Sequence, residues 1–266
     1  VNQGYTVKKI EVGKKKVFVT LDNDERFSLS YNGYTDHPLY EGKVLSDEEY
    51  HSLKVLEEED RFINLATHYV LKEAHTIYQT KIYLIKKGAD APMSNRIVKR
   101  LEESGYLDDK AYAESYAYEL GSLRMYGKYR ILIDLKEKGI DESIIAALSF
   151  NEEEELQKAC AYARLVNRKY ASSIDIKKKQ KMIYSLRERG FDDEIAKEAT
   201  RLELTPMDPE LEQSKLVEEM KRAFIRYGHK ASGYELKQKV LVYLARKGYP
   251  YENIKVAIEE YNDEDQ

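Results

Sequence analysis

The chain has little of what would make it a disulfide scaffold, a membrane protein or a phosphate-loop enzyme. Only one of its 266 residues is a cysteine. No intramolecular disulfide framework can form, and a lone thiol fits a reducing cytoplasm. No stretch of about 18 apolar residues could cross a bilayer, and the polar N-terminus lacks the apolar run of a signal peptide. A soluble cytoplasmic protein is expected. The 13 glycines are scattered and form no phosphate-cradling loop. His68 and His75 lie seven residues apart with no third ligand at useful spacing, so no metal site is expected. Cys160, between Ala159 and Ala161, reads as a small core residue and not as a nucleophile. These absences leave no catalytic constellation. The expectation is a non-enzymatic protein without a cofactor.

Charged residues make up 35% of the chain and hydrophobic residues 42%. That is polar for a compact globule, yet too rich in Leu, Ile, Val and Tyr for disorder. An elongated protein with much surface per residue is predicted. The net charge of −4 conceals a gradient. Residues 1–60 carry 8 Lys/Arg against 13 Asp/Glu, and five acids close the chain between Glu259 and Asp265. The body between them carries 36 Lys/Arg against 30 Asp/Glu. A basic body is compatible with an acidic or nucleic-acid partner, against which the total charge argues.

The first 31 residues read as strands. Tyr5 to Val12, Val17 to Leu21 and Arg26 to Tyr31 are rich in β-branched and aromatic residues. Gly13-Lys14 and Asp22-Asn23-Asp24 supply turns, so a three-stranded antiparallel meander is expected. Ser46 then opens a short helix, with Glu49 completing a capping box. The acidic run Glu57-Glu58-Glu59-Asp60 marks a boundary.

Beyond it the pattern is helical and it repeats. Four segments carry Leu, three residues, then Gly, with a basic residue just before the Gly: Leu84 to Gly88, Leu135 to Gly139, Leu186 to Gly190 and Leu244 to Gly248. Their glycines are 51, 51 and 58 residues apart. A cation followed by Gly ends a helix, because the cation complements the negative dipole end and Gly accepts the left-handed conformation. Ile82, Ile133, Tyr184 and Val242 recur six positions upstream on an apolar helical face. A longer helix precedes each segment (Arg61 to His75, Asp109 to Ser122, Glu152 to Lys169, Pro209 to Tyr227). A shorter one follows it. Asp108, Asn151 with Glu154, and Asp208 ahead of Pro209 mark starts of the long helices. Thr76 with Gln79 and Ser232 with Glu235 mark starts of the middle ones. The fold expected is mainly α: four tandem three-helix repeats stacked into an elongated curved rod, with a small antiparallel β segment in front. The boundaries drawn are 1–58 for the N-terminal segment, then 59–105, 106–150, 151–204 and 205–266.

Gly105-Tyr106-Leu107-Asp108-Asp109, then Ala111-Tyr112-Ala113, then Gly127-Lys128 to Ile131, then Leu135 to Lys138-Gly139-Ile140, resembles the signature of the RecX family. Arg189-Gly190-Phe191-Asp192-Asp193 echoes it. The resemblance covers about Arg61 to Tyr261, and the β-rich front looks like the extension of longer Gram-positive members. It implies tandem three-helix repeats. It also implies binding to the RecA recombinase filament on DNA, with modulation, usually inhibition, of ATPase and strand exchange in recombination, DNA repair and the SOS response. The family reading carries a monomer, single-stranded DNA within the filament as co-partner, and no membrane. The alternative is a direct single- or double-stranded DNA-binding protein whose units resemble helix-turn-helix modules and which acts without RecA.

The candidate contact residues are basic. Positions eleven and nine before the glycine are both cationic in three repeats: Lys128 and Arg130, Lys179 and Lys181, Lys237 and Lys239. Arg124, Lys177, Arg187 and Arg246 lie beside them, and the first repeat contributes Arg96, Lys99 and Arg100. With repeats stacked alike, these side chains would form one positive stripe. Solvation of exposed helical faces is the plainer reading of each residue taken singly. Lys178 and Arg222 are neighbours in the same pattern, and Tyr126, Tyr129 and Tyr234 lie among the cations, able to stack on bases. Tyr106, Tyr112 and Tyr116 have helical spacing and are expected in the core. Asp108 and Asp109 could hold a metal, but at a helix start they cap it. The acidic tail either stays solvated or docks on the protein's own basic stripe.

Overall fold

The computed structural model describes residues 4–264. Strands β1 (Tyr5–Val12), β2 (Lys16–Leu21) and β3 (Arg26–Ser30) form the antiparallel meander. Val17, Val19 and Leu21 alternate inward on β2, as do Phe27 and Leu29 on β3. Two short elements come next that no periodicity announces. Helix α1 (Tyr31–Asp36) is capped by the Ser30 side chain, which accepts from the Gly33 amide. Strand β4 (Val44–Leu45) pairs with Tyr5 and Thr6, giving the sheet order β3-β2-β1-β4.

Helix α2 (Asp47–Lys72) corrects the expected boundary. The short helix after Ser46 and the long one from Arg61 are a single helix of 26 residues. The capping box at Ser46 and Glu49 forms, and no Gly or Pro interrupts the helix behind it. The acidic run lies inside this helix. Glu57 accepts the Ser28 amide at 2.7 Å and Asp60 the Ser30 amide at 2.6 Å. Glu59 faces Arg96 at 3.7 Å.

The remaining helices are α3 (Ile77–Lys86), α4 (Ala91–Glu103), α5 (Asp109–Tyr118), α6 (Lys128–Glu137), α7 (Glu142–Ala147), α8 (Glu152–Lys169), α9 (Asp175–Glu188), α10 (Asp193–Glu203), α11 (Pro209–Gly228), α12 (Gly233–Lys247) and α13 (Tyr251–Glu264). The expected continuation of α5 to Ser122 is a π-helical turn, Glu119–Leu123. Thr76 with Gln79 forms its capping box, and Asn151 and Asp208 cap as expected. Ser232 occupies the N-cap of α12 without a side-chain bond, so that capping box is absent. The next residue, Gly233, has a positive φ of 53°.

The four basic-Gly sequences end α3, α6, α9 and α12 alike. Gly88, Gly139, Gly190 and Gly248 all have positive φ. Each glycine amide reaches back to the carbonyl three residues earlier, and the next residue's amide reaches the leucine carbonyl five residues back. This is the Schellman arrangement. The apolar residues that accompany such a stop share a core in three cases, Leu84 with Ala89, Leu186 with Phe191 and Leu244 with Tyr249, and Leu135 and Ile140 are both buried in the fourth.

The chain divides into two compact units, one running to Glu114 and including Leu135–Ala146, the other comprising Ser115–Asp134 and the residues from Ala147 onward. In the first, the sheet packs on Leu39, Leu45 and Leu53, while Phe62, Ala66, Leu84, Ile97 and Leu101 form a helical core. In the second, one core gathers Ala159, Ala163, Met182, Leu186 and Phe191. Another gathers Leu216, Met220, Val240, Leu244 and Ile254. Cys160 is buried, and burial raises its thiol pKa. Tyr106 is not core. It is 49% exposed, and Leu107 fills the buried place after the Gly105 turn. Tyr112 and Tyr116 are half-buried. His75 lies beyond the end of α2 and packs on the Tyr69 ring at 3.7 Å, off the helical face of His68. Among the described residues no His/Cys/Asp/Glu group could hold a metal ion, and no helix is long and apolar enough to cross a membrane.

Candidate partner-binding surface

Each middle helix (α3, α6, α9 and α12) buries the positions four and eight before its glycine: Leu84 and Thr80, Leu135 and Ile131, Leu186 and Met182, Leu244 and Val240. That spacing is one helical face. The position six before the glycine is two residues off it, on the far side of the helix. The apolar residues there consequently face solvent. Ile133 is 53% exposed, Tyr184 64% and Val242 45%, and only Ile82 is half-buried. Cations stand one turn away on the same side: Arg130 beside Ile133, Lys181 and Arg187 flanking Tyr184, and Lys239 and Arg246 flanking Val242. Three helices thus carry the same exposed apolar position with cations beside it, and all three positions belong to the second unit.

The proposed pairing of positions eleven and nine fares differently. Residues two apart point to opposite sides of a helix, so Lys179 and Lys181, or Lys237 and Lys239, do not share a face. Their settings differ too: α9 and α12 begin four residues earlier, relative to their glycines, than α6 does. Lys128 and Arg130 therefore sit in a first turn, and the other pairs sit further along. Several candidates are tied to neighbours. Arg130 pairs with Asp134 at 2.9 Å, Lys239 with Glu235 at 2.7 Å and Arg124 with Glu119 at 2.7 Å. Arg187 pairs with Asp193, Arg96 with Glu59 and Lys99 with Glu103. Arg100, Lys128, Lys177, Lys179, Lys181, Lys237 and Arg246 make no ion pair among the described residues. Arg96, Lys99 and Arg100 belong to the first unit and the other candidates to the second. Lys178 is a correction. It is 2% exposed, and its ammonium donates to the Thr205 carbonyl at 2.6 Å. Asp175 accepts the Met207 amide at 2.8 Å, so the first turn of α9 holds the connection that leads into α11.

Two of the candidate lysines are brought together. Lys177 and Lys181, one turn apart on α9, meet Lys215 and Arg222 of α11 and Lys247 of α12 around a cleft of about 480 Å³. The seven-residue spacing of Lys215 and Arg222 on one helix face was the available signal for the α11 side.

Beneath this surface the glycines have a second use. Gly190, at the end of α9, sits against the first turn of α6. The amides of Gly127 and Tyr129 donate to the carbonyls of Arg189 and Gly190 at 3.0 and 3.1 Å. A Cβ on Gly190 would fall inside the Arg130 backbone, and one on Gly127 inside Gly190 and Phe191. The Arg189 guanidinium lies 4.3 Å from the Tyr126 ring centre and 4.5 Å from that of Tyr162, and donates to the carbonyls of Arg124 and Met125. Tyr126 is therefore occupied, whereas Tyr234 stays exposed. Tyr129 is also exposed, with its hydroxyl on Asp192. In the first unit, Gly139 likewise has no room for a Cβ against Tyr78, and the Thr76 hydroxyl donates to the Lys138 carbonyl at 2.7 Å.

The paired aspartates divide their labour. Asp108 caps α5 by accepting the Ala111 amide at 2.9 Å, while Asp109 accepts the first amide of α3, that of Ile77, at 2.9 Å. Burial raises the Asp109 pKa, with the Ile77 amide opposing and the nearby Glu102 and Asp108 adding to the rise. Glu155, almost wholly buried, does the same for α6 by accepting the Lys128 amide at 3.0 Å, with Lys158 as its counter-charge.

Residues 108–148 match the second three-helix domain of RecX, and residues 210–258 match the third. Regulatory protein RecX of Lactococcus lactis subsp. lactis is 31% identical over 248 residues, covering 90% of this chain and 91% of that protein. The chain belongs to the RecX family. Regulatory protein RecX of Streptococcus agalactiae serotype Ia is 28% identical over 262 residues, covering 96% of this chain and 99% of its own. A crystal structure of regulatory protein RecX has a TM-score of 0.66 at 22% identity, over 74% of this chain and 99% of its own. That of RecX from Lactobacillus salivarius has a TM-score of 0.50 at 23% identity, over 54% and 95%. The mainly helical RecX fold is shared, and α8–α10 lies between the two matched RecX domains.

Proposed function

We propose that this RecX-family chain is a non-enzymatic regulator that binds the RecA filament on DNA and lowers its ATPase and strand exchange. The observation that supports it is the recurring solvent-facing position of α6, α9 and α12, where Ile133, Tyr184 and Val242 are exposed beside cations. Residues that merely solvate a helix give no reason for an apolar side chain to recur there. A partner made of repeating protomers does, because several weak, equivalent contacts multiply into a strong one. The test is RecA ATPase on single-stranded DNA, titrated with this protein and with an Ile133→Asp/Tyr184→Asp variant. Each lost apolar anchor is expected to weaken inhibition roughly tenfold, with the circular dichroism unchanged. Inhibition at the wild-type concentration would remove those residues from the contact.

The second reading is direct DNA binding without RecA. It draws on the seven candidate cations that make no ion pair among the described residues. Mobility shifts with and without RecA separate the two, since a DNA-only protein shifts DNA equally in both.

A further inference from the structure

We infer that the cleft between α9, α11 and α12 is a binding site for a phosphate group. Its walls bring together Lys177, Lys181, Lys215, Arg222 and Lys247, against only two carboxylates, Glu218 and Glu219. Three positive charges are left in excess within a space of about 480 Å³, the size of many small-molecule sites.

The contacts show which cations are spoken for. Arg222 pairs with Glu218 at 2.6 Å and lies 3.6 Å from Glu219, and Lys247 reaches Glu219 at 3.2 Å. Lys177 and Lys181 have no ion pair among the described residues. Lys215 only donates to the Ser172 carbonyl, at 2.6 Å, and Lys181 leans over the Tyr170 ring and the Ser173 hydroxyl. Three ammonium groups on two helices therefore face one space without a compensating acid. Like charges so gathered repel, and among the described residues no hydrogen bond or ion pair uses the Lys177 ammonium. A single carboxylate would offset one charge of three. A phosphate group concentrates more negative charge in a small volume and accepts from several donors at once, and lysines bind it as point charges. Ser172 and Ser173 also line the cleft and bring neutral hydroxyl donors.

A phosphodiester of nucleic acid and a free phosphorylated molecule present the same chemistry here. The site does not depend on the filament reading, and its test needs no RecA. The full chain is titrated by calorimetry, at about 0.15 M salt so that distant charges are screened. The probes are inorganic pyrophosphate, a short oligothymidylate and a glutamate decapeptide. Pyrophosphate or the oligonucleotide is expected to bind, with the decapeptide at least tenfold weaker. Lys177→Glu should weaken binding by roughly ten- to a hundredfold, and Glu218→Gln should strengthen it several-fold. Lys110→Glu, an equal change of net charge in the other unit, should leave it unaltered. Lys177→Gln replaces the reversal if that variant fails to fold. Pyrophosphate displaced by oligonucleotide identifies nucleic-acid backbone, and pyrophosphate alone identifies a free phosphorylated ligand. Equal binding of the glutamate peptide, equal loss with Lys110→Glu, no effect at Lys177, or no binding of either phosphate probe would overturn the assignment.

Discussion

Two joints in the second unit use the same sequence device and end differently. Around Gly190 the joint is closed. The end of α9 and the start of α6 share backbone hydrogen bonds, the glycine touches the Arg130 backbone, and the cation before it is sandwiched between two tyrosine rings. Around Gly248 the joint is open. A Cβ there would rest 3.5 Å from the Lys177 side chain and 3.7 Å from Ile176, an ordinary contact. The preceding cation, Lys247, stays with its own helices, where hydrogen bonds to Tyr243 and Glu219 raise its pKa. The motif specifies how a helix stops. Whether a neighbour then docks on that stop is decided by what faces it: small Gly127 in one case, the stems of Ile176 and Lys177 in the other.

The sharpest way to break this contrast is to give both glycines a methyl group. Gly190→Ala should cost about 3 kcal/mol or more, combining left-handed strain with a backbone clash. Gly248→Ala should cost only the left-handed penalty, about 1–2 kcal/mol. Urea midpoints of the two variants measure the difference, and equal values would mean the joints are alike. A smaller effect separates the cations. Arg189→Ala removes two ring contacts and two carbonyl bonds and should cost about 2–3 kcal/mol. Lys247→Ala gives up a half-exposed pair and should cost about 1 kcal/mol or less. The same denaturation series reads both.

The smallest effect extends the contrast to the carboxylates that cap the middle helices. Because burial raises the Asp109 pKa, the folded state holds that proton more tightly than the unfolded chain does. Its contribution to stability is full below the ordinary aspartate range and is lost as pH rises through the raised value. Asp109→Asn keeps an acceptor for the Ile77 amide without the buried charge. It should lie within about 0.5 kcal/mol of wild type at neutral pH, with a flatter stability profile across the acid range. A loss of several kcal/mol at neutral pH would show that the ionised form is what holds α3.

Much of this architecture was legible because it rests on local chemistry. The strands alternate, the caps at Ser46, Thr76, Asn151 and Asp208 form, and the basic-Gly pairs end four helices. Other features depend on distant partners and leave no local trace. The Glu57 to Asp60 run reads as a boundary, although Glu is a good helix former, and what it does in the middle of α2 is set by the distant amides of Ser28 and Ser30. Lys178 sits in a row of exposed lysines and is buried because the connection at Thr205 passes over it. Periodicity groups Ile133, Tyr184 and Val242 with apolar residues, but it does not say which side of a helix meets its neighbours. The π turn at Glu119–Leu123 and the left-handed Met125, with φ of 53°, obey the same rule. The carbonyl of Met125, which follows that turn, accepts from Arg189, 64 residues away in sequence.

The carboxylates of Glu57 and Asp60 have one more effect. Strand β3 is the outer member of its sheet, and the outer member is where a foreign strand would add itself, carbonyl to amide. At Ser28 and Ser30 those amides are already taken, and the oxygens holding them repel any carbonyl that approaches. The N-terminal sheet is in this way closed to recruitment on that side, which protects a crowded solution of these molecules from zipping together through their strands.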